Sequence, residues 1–265
     1  MATESRPRTG TENGRLWGTR SEDWARFQEG QVRGVYETVM TRCAVGPGTE
    51  YLDAGCGAGL AVQMAAERGA LVSGFDAAAG MLAVARSRVP HGDFRQAELE
   101  EPPYDAHTFD VVTGFNSFQF AANPTAALAQ AKRVAKPGGT VVVMTWSTPD
   151  GMEAAAIVRA LRPLLPAEPH QPGPFSLSDE MALRAFAADA GLQVTEVADV
   201  DCPWAYADLE TALRALSSAG PSLRAAELFG QEAVHEAHRQ ALAPFRLPDG
   251  SYRIGARFRC LFTRA

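Results

Sequence analysis

The sequence has little that could bind a metal or cross-link the chain. Its four cysteines, Cys43, Cys56, Cys202 and Cys260, stand far apart without paired spacing, so neither a zinc site nor a disulfide framework is expected. It has no cluster of Lys and Arg either. The 25 basic residues are scattered among 31 acidic ones, for a net charge of -6, which excludes the basic face that nucleic-acid phosphates require. No apolar run is long enough to span a bilayer, and the polar start from Met1 to Gly14 lacks the apolar centre of a signal peptide. The expectation is a soluble protein of the reducing cytoplasm with no nucleic-acid or membrane partner, residues 1–14 forming a disordered tail. A chain of 265 residues at 46% hydrophobic composition can bury a sizeable core and needs no second full domain.

What is present centres on Glu50 to Asp76. A short apolar run breaks into glycine at Gly55, Gly57 and Gly59, resumes as a helical pattern, and ends in a second apolar run closed by Asp76. That is a strand, a tight turn, a helix and a second strand, the opening unit of a doubly wound parallel sheet. Glycines at the turn let the backbone approach a ligand with no Cβ in the way. Asp76 is placed to accept hydrogen bonds from two ribose hydroxyls, so the ligand reads as a nucleoside. A dinucleotide site would carry its third glycine where this chain has Leu60. Asp53, at the end of the first strand, would repel a pyrophosphate and suits an ammonium group. The cofactor therefore has a positive end.

The residues Leu52-Asp53-Ala54-Gly55-Cys56-Gly57-Ala58-Gly59, with Asp76 downstream, resemble the first two motifs of the class I S-adenosylmethionine-dependent methyltransferases. The resemblance covers about Tyr51 to Trp146, and the Lys136-Pro137-Gly138-Gly139 turn before an apolar strand adds to it. It implies S-adenosyl-L-methionine as cofactor and S-adenosyl-L-homocysteine as product. It also implies a contact set of Asp53, Ala54, Gly55, Gly57, Gly59, Asp76, Ala77, Met81, Glu98, Leu99 and Asn116. Met81 either fills core or packs its thioether on the adenine. Family members commonly show Gly-Asp-x-x-x-Leu-Pro-Phe or Tyr where this chain has Ala97-Glu98-Leu99. There Glu98 would accept from the adenine amino group and the Leu99 N–H would face the ring nitrogen. A solvated acidic turn is the other reading.

The implied fold is α/β: a Rossmann-like, doubly wound, seven-stranded sheet, mostly parallel with an antiparallel last strand. One domain spans 15–265, with its core in 45–147, 177–202 and 251–265. Segments 15–42, 148–176 and 203–248 form a helical lid, and Ser251 to Phe262 reads as one alternating strand closing the sheet. Trp17, Trp24, Gln31 and Tyr36 either line the pocket or pack the sheet edge. Gly114 is expected to let backbone approach the cofactor, and Phe115, Phe118 and Phe120 either wall the substrate or pack the next helix.

The implied reaction is methyl transfer to a small, largely hydrophobic organic acceptor at oxygen, carbon or nitrogen, by a monomer or homodimer. The absence of Asn-Pro-Pro-Tyr after the fourth strand argues against amino-methylation of a nucleobase or a protein amide. Position and orientation alone supply roughly 7 to 11 kcal/mol of barrier lowering, so no catalytic residue is assigned. His170, His235 and His238 are candidate bases for a hydroxyl acceptor or else surface histidines. The alternatives are a cyclase or rearrangement catalyst that keeps the same cofactor, and a nicotinamide-dependent oxidoreductase.

Overall fold

The computed structural model describes residues 9–166 and 174–265. Its centre is a seven-stranded sheet in the order β3-β2-β1-β4-β5-β9-β6, made of β1 (Glu50–Ala54), β2 (Leu71–Asp76), β3 (Asp93–Gln96), β4 (Phe109–Phe115), β5 (Ala135–Trp146), β6 (Gln193–Asp201) and β9 (Arg257–Arg264). Strands β1 to β5 pair in parallel, and β9 runs antiparallel between β5 and β6. The central strands read as unbroken apolar runs because helices bury both faces, as parallel sheets require. Val141, Val142, Val143 and Met144 of β5 are all buried.

The helices between these strands are α4 (Leu60–Glu67), α5 (Ala79–Arg88), α6 (Pro124–Val134) and α8 (Glu180–Asp189). Local chemistry sets their starts. Asn123 caps α6 by accepting from the Ala126 N–H at 3.1 Å, with Pro124 in the first turn, and Asp179 caps α8 through the Ala182 N–H at 2.9 Å. Each such cap contributes about 1 kcal/mol. The chain leaves β1 towards β2 on one side and later returns to β4 on the other. The carboxyl ends of β1 and β4 therefore flank the reversal of strand order, where open sheets take up ligands.

Helices outside the core unit gather at this same edge: α1 (Gly10–Gly18), α2 (Ser21–Asp23), α7 (Ala154–Arg159), α9 (Leu209–Leu216), α10 (Gly220–Phe229) and α11 (Gln231–Leu242), whereas α3 (Arg33–Arg42) packs against α4 and β6. Between α2 and α3 the chain passes through a π-helical turn, Trp24–Gln28, and a 3-10 turn, Glu29–Val32. Expectation and structure differ at three places. The polar start is helical from Gly10, because Gly10, Gly14 and Gly18 let α1 sit directly on the core. A Cβ at Gly14 would lie 2.5 Å from the Ala77 carbonyl oxygen, and one on the facing Gly80 would lie 2.5 Å from that of Gly18. Ser251 to Phe262 is two strands: β8 (Tyr252–Ile254) pairs with β7 (Trp204–Tyr206) in a separate ribbon, and only β9 joins the main sheet. The chain turns at Gly255, whose N–H donates to the Glu153 carboxylate. Helix α10 was not expected, although Pro221 at its start is a helix-initiation signal. Among the described residues no helix is long and apolar enough to cross a membrane.

Candidate active site

One cavity of about 290 Å³ opens at the carboxyl ends of β1, β2 and β4 and runs beneath the added helices. At one end lies the glycine turn. Gly55, Gly57 and Gly59 all have positive φ, and the Gly55 and Cys56 N–H groups donate to the Phe75 carbonyl. The glycines serve different purposes. A Cβ at Gly57 would meet nothing closer than Trp24 Nε1 at 3.8 Å, so its missing side chain leaves open space in the cavity. A Cβ at Gly59 would strike Ala85 at 2.8 Å, so that glycine lets α4 pack on α5.

Of the expected contact set, Gly55, Gly57, Asp76, Ala77, Met81, Glu98, Leu99 and Asn116 stand on the cavity wall. Asp76 accepts from the Gly57 N–H at 2.9 Å and the Ala78 N–H at 2.8 Å. Burial raises its pKa against the lowering effect of these bonds. An ionised carboxylate has further lone pairs for ligand hydroxyls. Met81 is 1% exposed and clusters with Ala58, Ala78, Trp17 and Trp24, an apolar bed for a flat ring. Asn116 has φ of 53°, which turns the chain at the end of β4, and its Oδ1 accepts from Gln119 Nε2 at 2.9 Å.

Asp53, Ala54 and Gly59 are absent from the wall. Asp53, expected to meet an ammonium group directly, sits behind the turn at 2% exposure and accepts from Thr113 Oγ1 at 2.8 Å. Burial, reinforced by Glu29 and Asp76 and opposed by the Thr113 bond, pushes its pKa up to about 7. Ala54 packs into the sheet core. Gly114 is also redirected, because a Cβ there would lie 2.2 Å from the Phe118 ring. That glycine makes room for a core phenylalanine, whereas Phe115 and Phe120 line the cavity. Trp17 and Trp24 line it too. Tyr36 instead packs against Phe115 with ring centroids 4.5 Å apart, and Gln31 bonds both backbone groups of Ala205.

The other end of the cavity is apolar and aromatic, with Trp146, Ile157, Leu161, Trp204 and Leu216 on its wall. Trp146 stacks on Phe258 at 4.7 Å and meets Trp204 edge-on at 5.6 Å. Ser222 and His238 reach this cavity from α10 and α11. His235 does not line it, and His170 lies outside the described residues.

Sequence reasoning missed Glu29 and Arg88. The Glu29 side chain is 4% exposed, forms an ion pair with Arg88 and accepts from the Leu60 N–H at 3.1 Å. It thus serves as a remote cap for α4, which has none of its own. Arg88 also donates to the carbonyls of Ala58 at 2.9 Å and Ala25 at 3.0 Å, tying the lid segment to the glycine turn. Burial raises the Glu29 pKa against the pull of Arg88. A carboxylate already occupies the helix start where a dinucleotide's pyrophosphate would lie, which disfavours a nicotinamide cofactor. No local sequence signal pairs Glu29 with a residue 59 positions away.

These features fit an adenosyl amino acid. The open space at Gly57, the apolar bed around Met81 and the unpartnered, buried Ser117 Oγ on the wall suit the parts of such a molecule. Among the described residues no three His, Cys, Asp or Glu side chains are grouped to hold a metal. A family model described as a methyltransferase domain matches residues 52–143. The ubiquinone biosynthesis O-methyltransferase of Pseudomonas paraeruginosa is 32% identical over 157 residues, 57% of this chain and 67% of that one. The chain belongs to the class I S-adenosylmethionine-dependent methyltransferase family. The malonyl-[acyl-carrier protein] O-methyltransferase of Serratia marcescens is 35% identical to this family member over 113 residues, 43% of this chain and 44% of that one. The chain thus spans between 44% and 67% of the length of these two curated relatives. Among solved structures, the geranyl diphosphate C-methyltransferase of Streptomyces coelicolor A3(2) shares the fold, with a TM-score of 0.52 at 19% identity over 86% of this chain and 74% of that one.

Proposed function

We propose that this chain is an S-adenosylmethionine-dependent methyltransferase that acts on a small, largely hydrophobic organic acceptor. The observation that carries the reading is continuity: the glycine turn, Asp76 and Met81 share a single cavity with the aromatic wall of Phe115, Trp146 and Trp204. The cofactor supplies a methyl group activated on a sulfonium, and the chain supplies position. Asp76 would accept from the ribose hydroxyls, with Ala77 beside it. Met81, Glu98 and Leu99 would take the adenine. Gly55, Gly57, Asn116 and Ser117 would border the amino-acid end, with Asp53 acting on the ammonium through space.

Both curated relatives are named as O-methyltransferases, which supports transfer to oxygen. Calorimetric titration with S-adenosylmethionine, S-adenosylhomocysteine and NAD tests the reading. Saturable binding of both adenosyl compounds and none of NAD is expected, and binding of NAD alone would overturn it.

A further inference from the structure

We propose that the acceptor carries a hydroxyl group on an aromatic or otherwise apolar body, and that His238 is the general base, receiving the hydroxyl proton on Nδ1. This rests on the methyltransferase reading. The argument starts from the hydrogen bonds of one side chain. Ser222 Oγ donates to the Leu216 carbonyl at 2.7 Å, which uses its only proton. Its lone pairs remain for His238 Nε2 at 3.3 Å, so Nε2 carries the ring proton and Nδ1 the free lone pair. Among the described residues Nδ1 has no partner, although His238 is 2% exposed.

A buried acceptor atom left open in this way calls for a donor from outside the chain. Burial, with His235 on the preceding turn, holds the His238 pKa down at about 4, so the imidazole is neutral near pH 7 and able to accept. Trp204 Nε1 is also buried without a partner and offers one donor to a second oxygen on the same molecule. The rest of this end is mainly apolar, with Trp146, Ile157, Leu161 and Leu216. The carboxylates on the cavity wall, Asp76, Glu98 and Glu100, belong to the end of β2 and to the segment following β3, so among the described residues an ammonium-bearing acceptor would find no counter-charge beside His238.

In the transfer the hydroxyl oxygen bonds to the methyl carbon and gives its proton to Nδ1. The electron pair of the breaking carbon–sulfur bond stays on sulfur. One positive charge thus passes from sulfur to imidazole, and the net charge in the cavity does not change.

The test uses protein loaded with S-adenosylhomocysteine, titrated with naphthol and with its methyl ether while tryptophan fluorescence is followed. Methyl transfer from tritiated cofactor to phenol, catechol and naphthol is measured in parallel. Wild type should prefer naphthol to the ether by about tenfold or more. His238→Phe should lose that preference and still bind the cofactor product as wild type does. In His238→Gln, transfer should fall about a hundredfold or more, and this variant carries the test if the phenylalanine variant does not fold. A preference that survives in His238→Phe overturns the proposal, as does transfer by His238→Gln at close to the wild-type rate. So does a wild type that binds S-adenosylhomocysteine but methylates none of the three hydroxyarenes. Failure of wild type to bind S-adenosylhomocysteine instead overturns the methyltransferase reading.

Discussion

Asp53 should couple cofactor binding to proton release. In the free protein its carboxyl is buried and its pKa is pushed up to about 7, so at pH 6 about nine in ten molecules carry it neutral. A ligand ammonium beyond the turn favours the ionised form: at about 7 Å and an effective dielectric of about 20 the attraction is roughly 2 kcal/mol, enough to lower the pKa by more than one unit. The sign follows directly. The bound state holds fewer protons than the free state, so affinity rises with pH through 7 and levels off above about pH 8. The expected change is about eightfold in Kd between pH 6 and pH 8, about 1.2 kcal/mol, with roughly 0.7 proton released at pH 6. Calorimetry with S-adenosylhomocysteine in buffers of different ionisation enthalpy reads both quantities. Burial raises Glu29 and Asp76 as well, so Asp53→Asn is the necessary control. The variant should bind more weakly and lose most of the pH slope. Equal affinity at pH 6 and pH 8 in wild type, or an unchanged slope in the variant, would refute the role given to Asp53.

Three further outcomes are expected. Gly57→Val points a branched side chain into the cavity and places it at φ of 52°, a strain of about 1 to 3 kcal/mol; circular dichroism should still show the fold, and retained cofactor binding would place the ligand elsewhere. Asp76→Ala should weaken binding by about 1 to 3 kcal/mol, towards the upper end because Asp76 also holds the Gly57 and Ala78 N–H groups; unchanged affinity in a folded variant would remove the ribose contact. Arg88→Met leaves the Glu29 carboxylate buried and unpaired, which should cost about 3 to 5 kcal/mol in chemical denaturation, and a loss below about 1 kcal/mol would show that the pair contributes little.

Much of this site is legible in the sequence because the chemistry of the first βαβ unit is local. Gly55, Gly57, Asp76, Ala77 and Met81 lie on segments whose spacing fixes which sheet edge they occupy, and each stands on the cavity wall. Reading failed where a residue type had two uses. Gly59 and Gly114 look like ligand-approach glycines, but the space their missing Cβ leaves is filled by Ala85 and Phe118. Gly10 and Gly14 in a polar stretch look like a tail, but they let a helix sit closely against the Glu98 side chain and the Ala77 backbone.

The sequence by itself determined the family, the order of strands and helices from β1 to β5, and the glycine-turn end of the cavity, because hydrophobic period and turn chemistry act over a few residues. Only the tertiary structure decided the aromatic end. His238, Ser222 and Trp204 come from α11, α10 and β7, and no periodicity records that they meet Trp146 from β5 over one cavity. Which nitrogen of His238 is free depends on a hydrogen bond between helices, and whether Asp53 is charged depends on its burial beside Glu29 and Asp76. Solvent exclusion and long-range pairing set both, and they exist only once the chain has closed around the cavity.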